Sequence, residues 1–184
     1  MKANHIPTPT RLLILNAANR VILDHGTNAL TLDSVAKQAG VSKGGLLYHF
    51  PNKESLIMGM VERFVTEFEY AIEQELQKNG DDWLSAYIHV SFQANPEREK
   101  ISCALFAAFA NNPDLLEPLR KRFIEWQKKI EKNSTSPEIG TIIRLTLDGM
   151  WLSDLMNFAP PKLSLRKKVL SSLLEMRVKR RGVK

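Results

Sequence analysis

Cysteine and long apolar runs are both scarce in this sequence. A single cysteine among 184 residues excludes a disulfide within one chain and indicates a reducing compartment, so we predict a cytoplasmic protein. Cys103 lies in an apolar stretch and is expected to pack in the core. The longest apolar run, Cys103 to Ala110, is far too short to span a bilayer, and no secretory signal pattern precedes the first helix. We therefore expect no membrane partner.

The sequence also lacks the patterns of metal and cofactor sites. Its four histidines are dispersed, and none has another His or Cys three or four positions away, as a metal site on a helix would need. The glycine pair Gly44-Gly45 follows no strand pattern, so it is not a phosphate-binding loop. No convincing strand alternation is visible, while helical periodicity runs throughout. We predict an all-α protein of about nine helices, with no metal and no cofactor.

The net charge of +6 is unevenly distributed along the chain. Residues 1–53 hold six Lys or Arg and two Asp or Glu. Residues 54–161 hold eleven basic and seventeen acidic residues, and residues 162–184 hold nine basic residues and one acidic residue. This pattern fits a protein that presents only part of its surface to a polyanion. The basic residues from Arg177 to Lys184 could contact DNA or another acidic partner, but we expect them to form a solvated helix end.

The segment from Thr31 to Phe50 has the pattern of two short helices joined by a glycine turn. Thr31 and Ser42 are suited to cap the two helices, and Gly40 supplies the backbone freedom that ends the first. One face carries apolar residues at helical spacing, and Pro51 ends the second helix. Val41, Leu46 and Phe50 are predicted to point into the core. This is the layout of a helix-turn-helix, which places its second helix in the DNA major groove.

The outward face of the second helix suits DNA chemically. Two glycines near its start each weaken a helix by about 1 kcal/mol relative to alanine, which a merely solvated hairpin would not require. Lys43 is the predicted base-edge contact, with guanine as its natural partner. Donors further along are placed to reach phosphates. The predicted DNA-binding residues are Thr31, Ser42, Lys43, Gly44, Gly45, Tyr48, His49 and Lys53.

A competing motif overlaps this segment. Residues Gly40 to Gly44 match G-x-S-x-G, the nucleophile elbow of serine esterases. That elbow requires a strand before the serine, followed later in the chain by Asp and then His. The residues before Ser42 have a helix pattern instead, so we expect no enzymatic activity and keep the esterase as a distant alternative.

From about Ile14 to Met60 the sequence resembles the TetR/AcrR family of bacterial transcriptional repressors. The resemblance rests on Ala17-Ala18, His25-Gly26, Leu30-Thr31, Val35-Ala36, Ala39-Gly40-Val41-Ser42, His49-Phe50 and Asn52-Lys53-Glu54-Ser55-Leu56. It implies an N-terminal three-helix DNA-binding domain, followed by a helical domain for dimerisation and effector binding. It also implies that the DNA-binding residues named above contact operator DNA.

The remaining helices follow from periodicity and from Pro and Gly boundaries. They are predicted at about Thr10–His25, Asn52–Lys78, Asp82–Ala94, Glu97–Asn111, Pro113–Lys132, Pro137–Phe158 and Leu163–Val178. We assign residues 1–53 to the DNA-binding domain and 54–184 to the effector-binding and dimerisation domain.

The last two predicted helices carry a wide apolar stripe, which belongs either to the internal core or to a dimer. The resemblance favours a homodimer through a four-helix bundle, with an interface at Leu145, Gly149, Leu152, Leu165, Val169 and Leu173. The middle helices are rich in aromatic residues, which would suit a small-molecule effector. The ligand site is not assigned by the sequence, and its candidates are Phe64, Trp83, Tyr87, Phe106 and Trp126.

These inferences together predict a sequence-specific, DNA-binding transcriptional regulator. We expect it to be a ligand-responsive repressor that binds a palindromic operator as a dimer. The alternative within DNA binding is a ligand-independent architectural or division-linked protein that binds many sites.

Overall fold

The computed structural model describes residues 8–80, 82–93, 101, 102, 105, 109 and 112–177. Every regular element in these ranges is helical, so the all-α class is confirmed. The α-helices are α1 (Pro9–His25), α2 (Leu32–Ala39), α3 (Lys43–His49), α4 (Lys53–Asn79), α5 (Trp83–Phe92), α6 (Glu117–Asn133), α7 (Pro137–Met156) and α8 (Leu163–Met176). Short 3₁₀ turns cover Thr27–Ala29 and Pro113–Leu116.

Most predicted helix boundaries lie within two residues of the observed ones. The predicted helix Pro113–Lys132 is wrong at its start, because the first turn is a 3₁₀ turn and the α-helix begins at Glu117. The predicted helix Glu97–Asn111 falls mostly outside the described residues, although positions 101, 102, 105 and 109 are helical. Cys103 and Phe106 lie outside the described residues. Within the described ranges, no helix is both long and apolar enough to cross a membrane.

The chain divides into two compact units. The first comprises residues up to Arg63 together with 95–118, and the second comprises 64–94 together with 119–184. Helix α4 begins in the first unit and continues as one helix into the second. The domain boundary that we predicted at residues 53 and 54 stays a prediction.

The first unit packs α1, α2, α3 and the start of α4 around a small apolar core. Ile14, Val35, Leu46 and Leu56 have no exposed surface, and Phe50 is almost completely buried. The first four residues come from four different helices, so the orientation of α3 is fixed by several neighbours at once. A helix of only seven residues would be marginal without such packing.

Gly59 allows α4 to approach this core closely. A Cβ atom at this position would lie 2.7 Å from Cε1 of the buried Phe50 ring and 3.1 Å from an Arg11 guanidinium nitrogen. The Arg11 guanidinium stands over the Phe50 ring at 5.1 Å and also pairs with Glu62 at 3.1 Å. A methyl group therefore has no space here unless the ring or the helix shifts.

We expect Gly59→Ala to destabilise the protein by about 1–3 kcal/mol, although alanine is the better helix former. The measurement is denaturant unfolding followed by circular dichroism. Asn16→Ala, at an exposed position on α1, is the control and should not lower the unfolding midpoint. An unchanged midpoint for Gly59→Ala would show that the close approach does not limit stability.

The second unit has an aromatic core. Phe68 lies 5.7 Å from Tyr87 and 5.1 Å from Trp126, measured between ring centroids. Trp83 stacks on Tyr87 at 5.3 Å, and Trp126 Nε1 donates to Glu69 Oε1 at 3.1 Å. These residues bring α4, α5 and α6 together.

A polar network lies beside this aromatic core. Arg144 donates to Gln127 and, at 2.6 Å, to Asp148. Desolvation raises the pKa of Asp148, although Arg144 opposes the shift. Burial raises the pKa of Tyr87 in turn, and the nearby Asp148 carboxylate adds to that shift. The hydrogen bond from Arg144 to Gln127 joins α7 to α6.

Candidate nucleic-acid interface

The start of α2 is fixed by reciprocal hydrogen bonds. Thr31 Oγ1 accepts from Ser34 N at 3.1 Å, and Ser34 Oγ accepts from Thr31 N at 3.0 Å. Ser34 Oγ also donates to the Ala29 carbonyl at 2.6 Å, which ties α2 to the preceding 3₁₀ turn. This is a capping box with serine in the position usually taken by Glu or Gln. Sequence reasoning identified Thr31 but missed Ser34, whose position three residues later was the available signal.

The turn between α2 and α3 is equally tight. Gly40 adopts the left-handed conformation with φ of 66°, and Val41 N donates back to the Ala36 carbonyl at 3.1 Å. Ser42 Oγ then accepts from Gly45 N at 3.0 Å and caps α3. Both predicted caps and the predicted glycine turn are confirmed. Three residues thus separate the helices, which leaves little freedom in their crossing angle.

Helix α3 buries one side and exposes the other. Leu46 is fully buried, with Phe50 just beyond the helix end, while Val41 is only half-buried. On the other side Tyr48 is 85% exposed, the highest exposure among the large apolar and aromatic residues described. Lys43 and Gly44 are exposed, and Gly45 and His49 are half-buried. The exposed side is therefore polar and basic, with a large aromatic ring available for contact.

The two glycines of α3 differ in their surroundings. A Cβ atom at Gly44 would meet no atom within 4 Å, whereas one at Gly45 would lie 3.2 Å from Ser42 Oγ. Neither has a positive φ, so the backbone of α3 does not require glycine at either position. The glycine at 44 thus weakens the helix without serving the packing of its own chain. It leaves open space for an external molecule to approach the backbone.

Positive charge dominates the region around α3. Lys37, Lys43 and Lys53 are exposed, and Lys53 begins α4 directly after its Asn52 cap, whose side chain accepts from Ser55 N at 2.8 Å. Lys43 Nζ lies 2.9 Å from an Asp33 carboxylate oxygen. The sequence did not predict this ion pair, because it joins residues ten positions apart.

The esterase motif lacks its required setting. The residues before Ser42 form α2 and a turn, where the nucleophile elbow needs a strand. The Ser42 hydroxyl accepts a hydrogen bond from its own helix, as a cap does. Among the described residues, no group of three His, Cys, Asp or Glu side chains is placed to hold a metal ion.

Two family models match this chain. Residues 14–59 match the model described as "Bacterial regulatory proteins, tetR family". Residues 81–177, just over half of the chain, match "Tetracyclin repressor-like, C-terminal domain". The chain belongs to the TetR family. The resemblance noted from residues 14–60 is thereby confirmed and extends through most of the second half.

Individual regulators and solved structures are similar to this chain over most of their length. The transcriptional regulator UidR of Escherichia coli K12 is 26% identical over 154 residues, with 76% of this chain and 77% of UidR covered. BetI of Agrobacterium fabrum is 22% identical, with 92% of this chain and 88% of BetI covered. A transcriptional regulator from Rhodococcus sp. Rha1 has the same fold, with a TM-score of 0.70, 22% identity, and 91% and 95% covered. The multidrug binding protein EbrR, solved with imidazole, has a TM-score of 0.68, 21% identity, and 91% and 96% covered.

This TetR-family chain is a DNA-binding transcriptional regulator, as predicted. The predicted partners, double-stranded DNA and a second copy of the chain, are those with which TetR regulators act. Its helix-turn-helix lies within the N-terminal family match. The individual DNA contacts stay predictions.

Only some of the residues predicted for ligand binding lie close together. Tyr87 and Trp126 are buried in the aromatic core, Trp83 stacks on Tyr87, and Phe64 is half-buried on α4. Phe106 is outside the described residues. The basic tail is described only as far as Arg177, which pairs with Asp82 of the second unit.

The residues predicted for the dimer interface separate into two groups. Leu145, Gly149, Leu152 and Leu165 are exposed. Leu173 is 3% exposed and belongs to the core of its own unit, against which Val169 also packs. Only the first group leaves apolar surface available for a second copy.

Proposed function

We propose that this regulator is a cytoplasmic, ligand-responsive repressor that binds a palindromic operator as a homodimer and has no enzymatic activity. The observation that carries the DNA-binding site is the exposed, glycine-opened start of α3 beside Lys43 and Tyr48. The packing of α3 holds these groups on one rigid surface, as recognition in the major groove requires.

Each predicted DNA contact has a distinct proposed role. Lys43 reaches base edges, while Gly44 and Gly45 allow the backbone to come close. Tyr48, His49 and Lys53 contact phosphates and fix position. Thr31 and Ser42 lie at helix N-termini, where phosphate is favoured by free N–H groups and the helix dipole.

We propose that the dimer forms through an apolar stripe on α7. The stripe consists of Ile142, Leu145, Gly149, Leu152 and Met156, all exposed and spaced three or four positions apart. The hydroxyls of Thr146 and Ser153 donate to carbonyls of their own helix at 2.8 Å, so burial of the stripe would leave neither O–H donor unpaired. A second copy of α7 would cover such a stripe in a two-fold arrangement.

We place the effector in the second unit. Support comes from its aromatic residues and from the polar groups of Glu69, Arg144 and Asp148 beside them, since small-molecule sites combine apolar walls with few polar anchors. EbrR, which shares the fold, was solved with ethidium and with malachite green. Because α4 continues from this unit into the first, a change in its tilt would alter the separation of the two recognition helices. A coupling of about 1–3 kcal/mol would suffice to switch occupancy.

The test is selection of genomic DNA fragments by the purified protein at moderate salt, followed by sequencing. Recovery of one or a few palindromic sites supports the repressor, and the adjacent genes then indicate which small molecules to add. Many dispersed sites, bound regardless of added compounds, would support the architectural alternative. No enrichment would show that α3 does not recognise DNA, and ester hydrolysis lost in Ser42→Ala would support an enzyme.

Base contacts and phosphate contacts are separable by substitution. We expect Lys43→Ala to relax sequence discrimination at one position of the site, by about 1–3 kcal/mol. We expect Lys53→Ala to weaken binding to all sequences and to reduce the slope of log affinity against log salt by about one. Binding titrations on operator and scrambled duplexes measure both. Equal losses on every sequence for Lys43→Ala would remove its base-reading role, and an unchanged slope would remove Lys53 from the phosphate contacts.

A further inference from the structure

Asp33 carries a negative charge within a segment that is otherwise basic. It is the only acidic residue between positions 25 and 53, a segment that carries three lysines and all the proposed DNA contacts. It lies in the first turn of α2, and its two carboxylate oxygens are 2.9 and 3.3 Å from Nζ of Lys43, the first residue of α3. A negative charge thus stands beside the proposed base-reading side chain, on a surface that must approach a polyanion.

The fold gives little reason for this pair. Both side chains are mostly exposed, at 61% for Lys43 and 71% for Asp33, and exposed ion pairs contribute little to stability. The N-terminus of α2 is already capped by Thr31 and Ser34 without help from Asp33. The remaining benefit to the fold is a weak interaction with the helix dipole, which many other residues could supply.

We propose that Asp33 is a specificity-determining residue that acts on Lys43; the inference rests on the proposed function. In the free protein the pair carries no net charge, so Lys43 adds nothing to the attraction for random DNA. If Lys43 left the pair to contact a phosphate, the Asp33 carboxylate would be unpaired beside other phosphates. An ammonium group has three donors, so at the correct base Lys43 donates to the base edge while it remains paired. The free-energy cost of leaving Asp33 unpaired beside phosphates therefore applies mainly to DNA without the correct base.

The test compares Asp33→Asn with Asp24→Asn, which removes the same charge from an exposed position on α1. The DNA probes are a duplex recovered by the genomic selection and a scrambled duplex of equal length. For Asp33→Asn we expect about fivefold tighter binding to the scrambled duplex, a salt slope steeper by about one, and a smaller change on the selected duplex. Asp24→Asn should leave the ratio of the two affinities unchanged.

Two further variants separate this role from a structural one. Asp33→Glu keeps the charge and should restore the wild-type ratio, while Asp33→Ala should behave as Asp33→Asn does. In a Lys43→Ala background, Asp33→Asn should no longer change the ratio, because its partner is absent. Thermal unfolding of each variant shows that it is folded.

The outcomes distinguish the inference from the function on which it rests. If the wild-type protein does not discriminate between the two duplexes, the proposed function fails. If it discriminates, but Asp33→Asn leaves the ratio unchanged or matches Asp24→Asn, only the role of Asp33 is overturned. A change in ratio that persists without Lys43 would also overturn it.

Discussion

Gly44→Ala is expected to weaken operator binding by about tenfold or more while making the protein more stable. The added methyl meets nothing within 4 Å in the chain itself, and alanine is the better helix former, so the free energy of unfolding should rise by up to about 1 kcal/mol. In the proposed complex with DNA, the same methyl would occupy the space through which the α3 backbone approaches the groove. An extra methyl group in a close-packed contact costs about 1–3 kcal/mol.

Titration of the selected duplex and thermal unfolding, measured on the same preparation, test this expectation. Asn16→Ala is the matched control, because it also improves helix propensity at an exposed position of the first unit but lies on α1. It should raise stability slightly without changing DNA affinity. Unchanged operator affinity in Gly44→Ala would show that this glycine does not face DNA.

Gly149→Leu is expected to convert the protein from a dimer to a monomer at micromolar concentration. Gly149 is exposed in the middle of α7, and a Cβ atom there would meet no atom of its own chain. In the proposed dimer Gly149 would lie where two copies of α7 cross, and a leucine there would force them apart at a cost of about 1–3 kcal/mol. A two-fold interface contains the change twice. Affinity for a palindrome should fall steeply, while the much weaker binding of one half-site is retained.

Analytical ultracentrifugation gives the dissociation constant of the dimer. Lys128→Leu, which places a leucine at an exposed position of α6, is the control and should remain dimeric. A Gly149→Leu protein that stays dimeric and binds the palindrome normally would place the interface elsewhere.

Local features of the recognition segment could be predicted because they depend on neighbouring residues. Thr31, Gly40 and Ser42 each act within three or four positions, and the burial of Leu46 follows from helical spacing. The pairing of Asp33 with Lys43 depends on how the turn crosses the two helices, which no residue pattern encodes.

The dimer interface could not be predicted from the sequence for a different reason. An apolar stripe on a helix looks the same whether its own chain or a second copy covers it. Leu165 and Leu173 lie two turns apart on α8, yet the first is 53% exposed and the second is buried in the core. Only the packing of α8 against α5 and the other helices of its unit separates the two. The predicted start of α6 was wrong because the sequence does not distinguish a 3₁₀ turn from the first turn of an α-helix. Proline is accepted at the start of both.

In the proposed mechanism, the length of α4 would set how far the DNA-binding end moves when the helix tilts. Its 27 residues span about 40 Å at 1.5 Å per residue. A rigid lever of that length, turned by about 5° around its C-terminal end, moves its N-terminal end by roughly 3.5 Å, close to the rise of one base pair. An effector would then need to rotate α4 by only a few degrees to move α3 out of register with the base pairs of the major groove. Structures with and without effector would have to be compared at that angular precision.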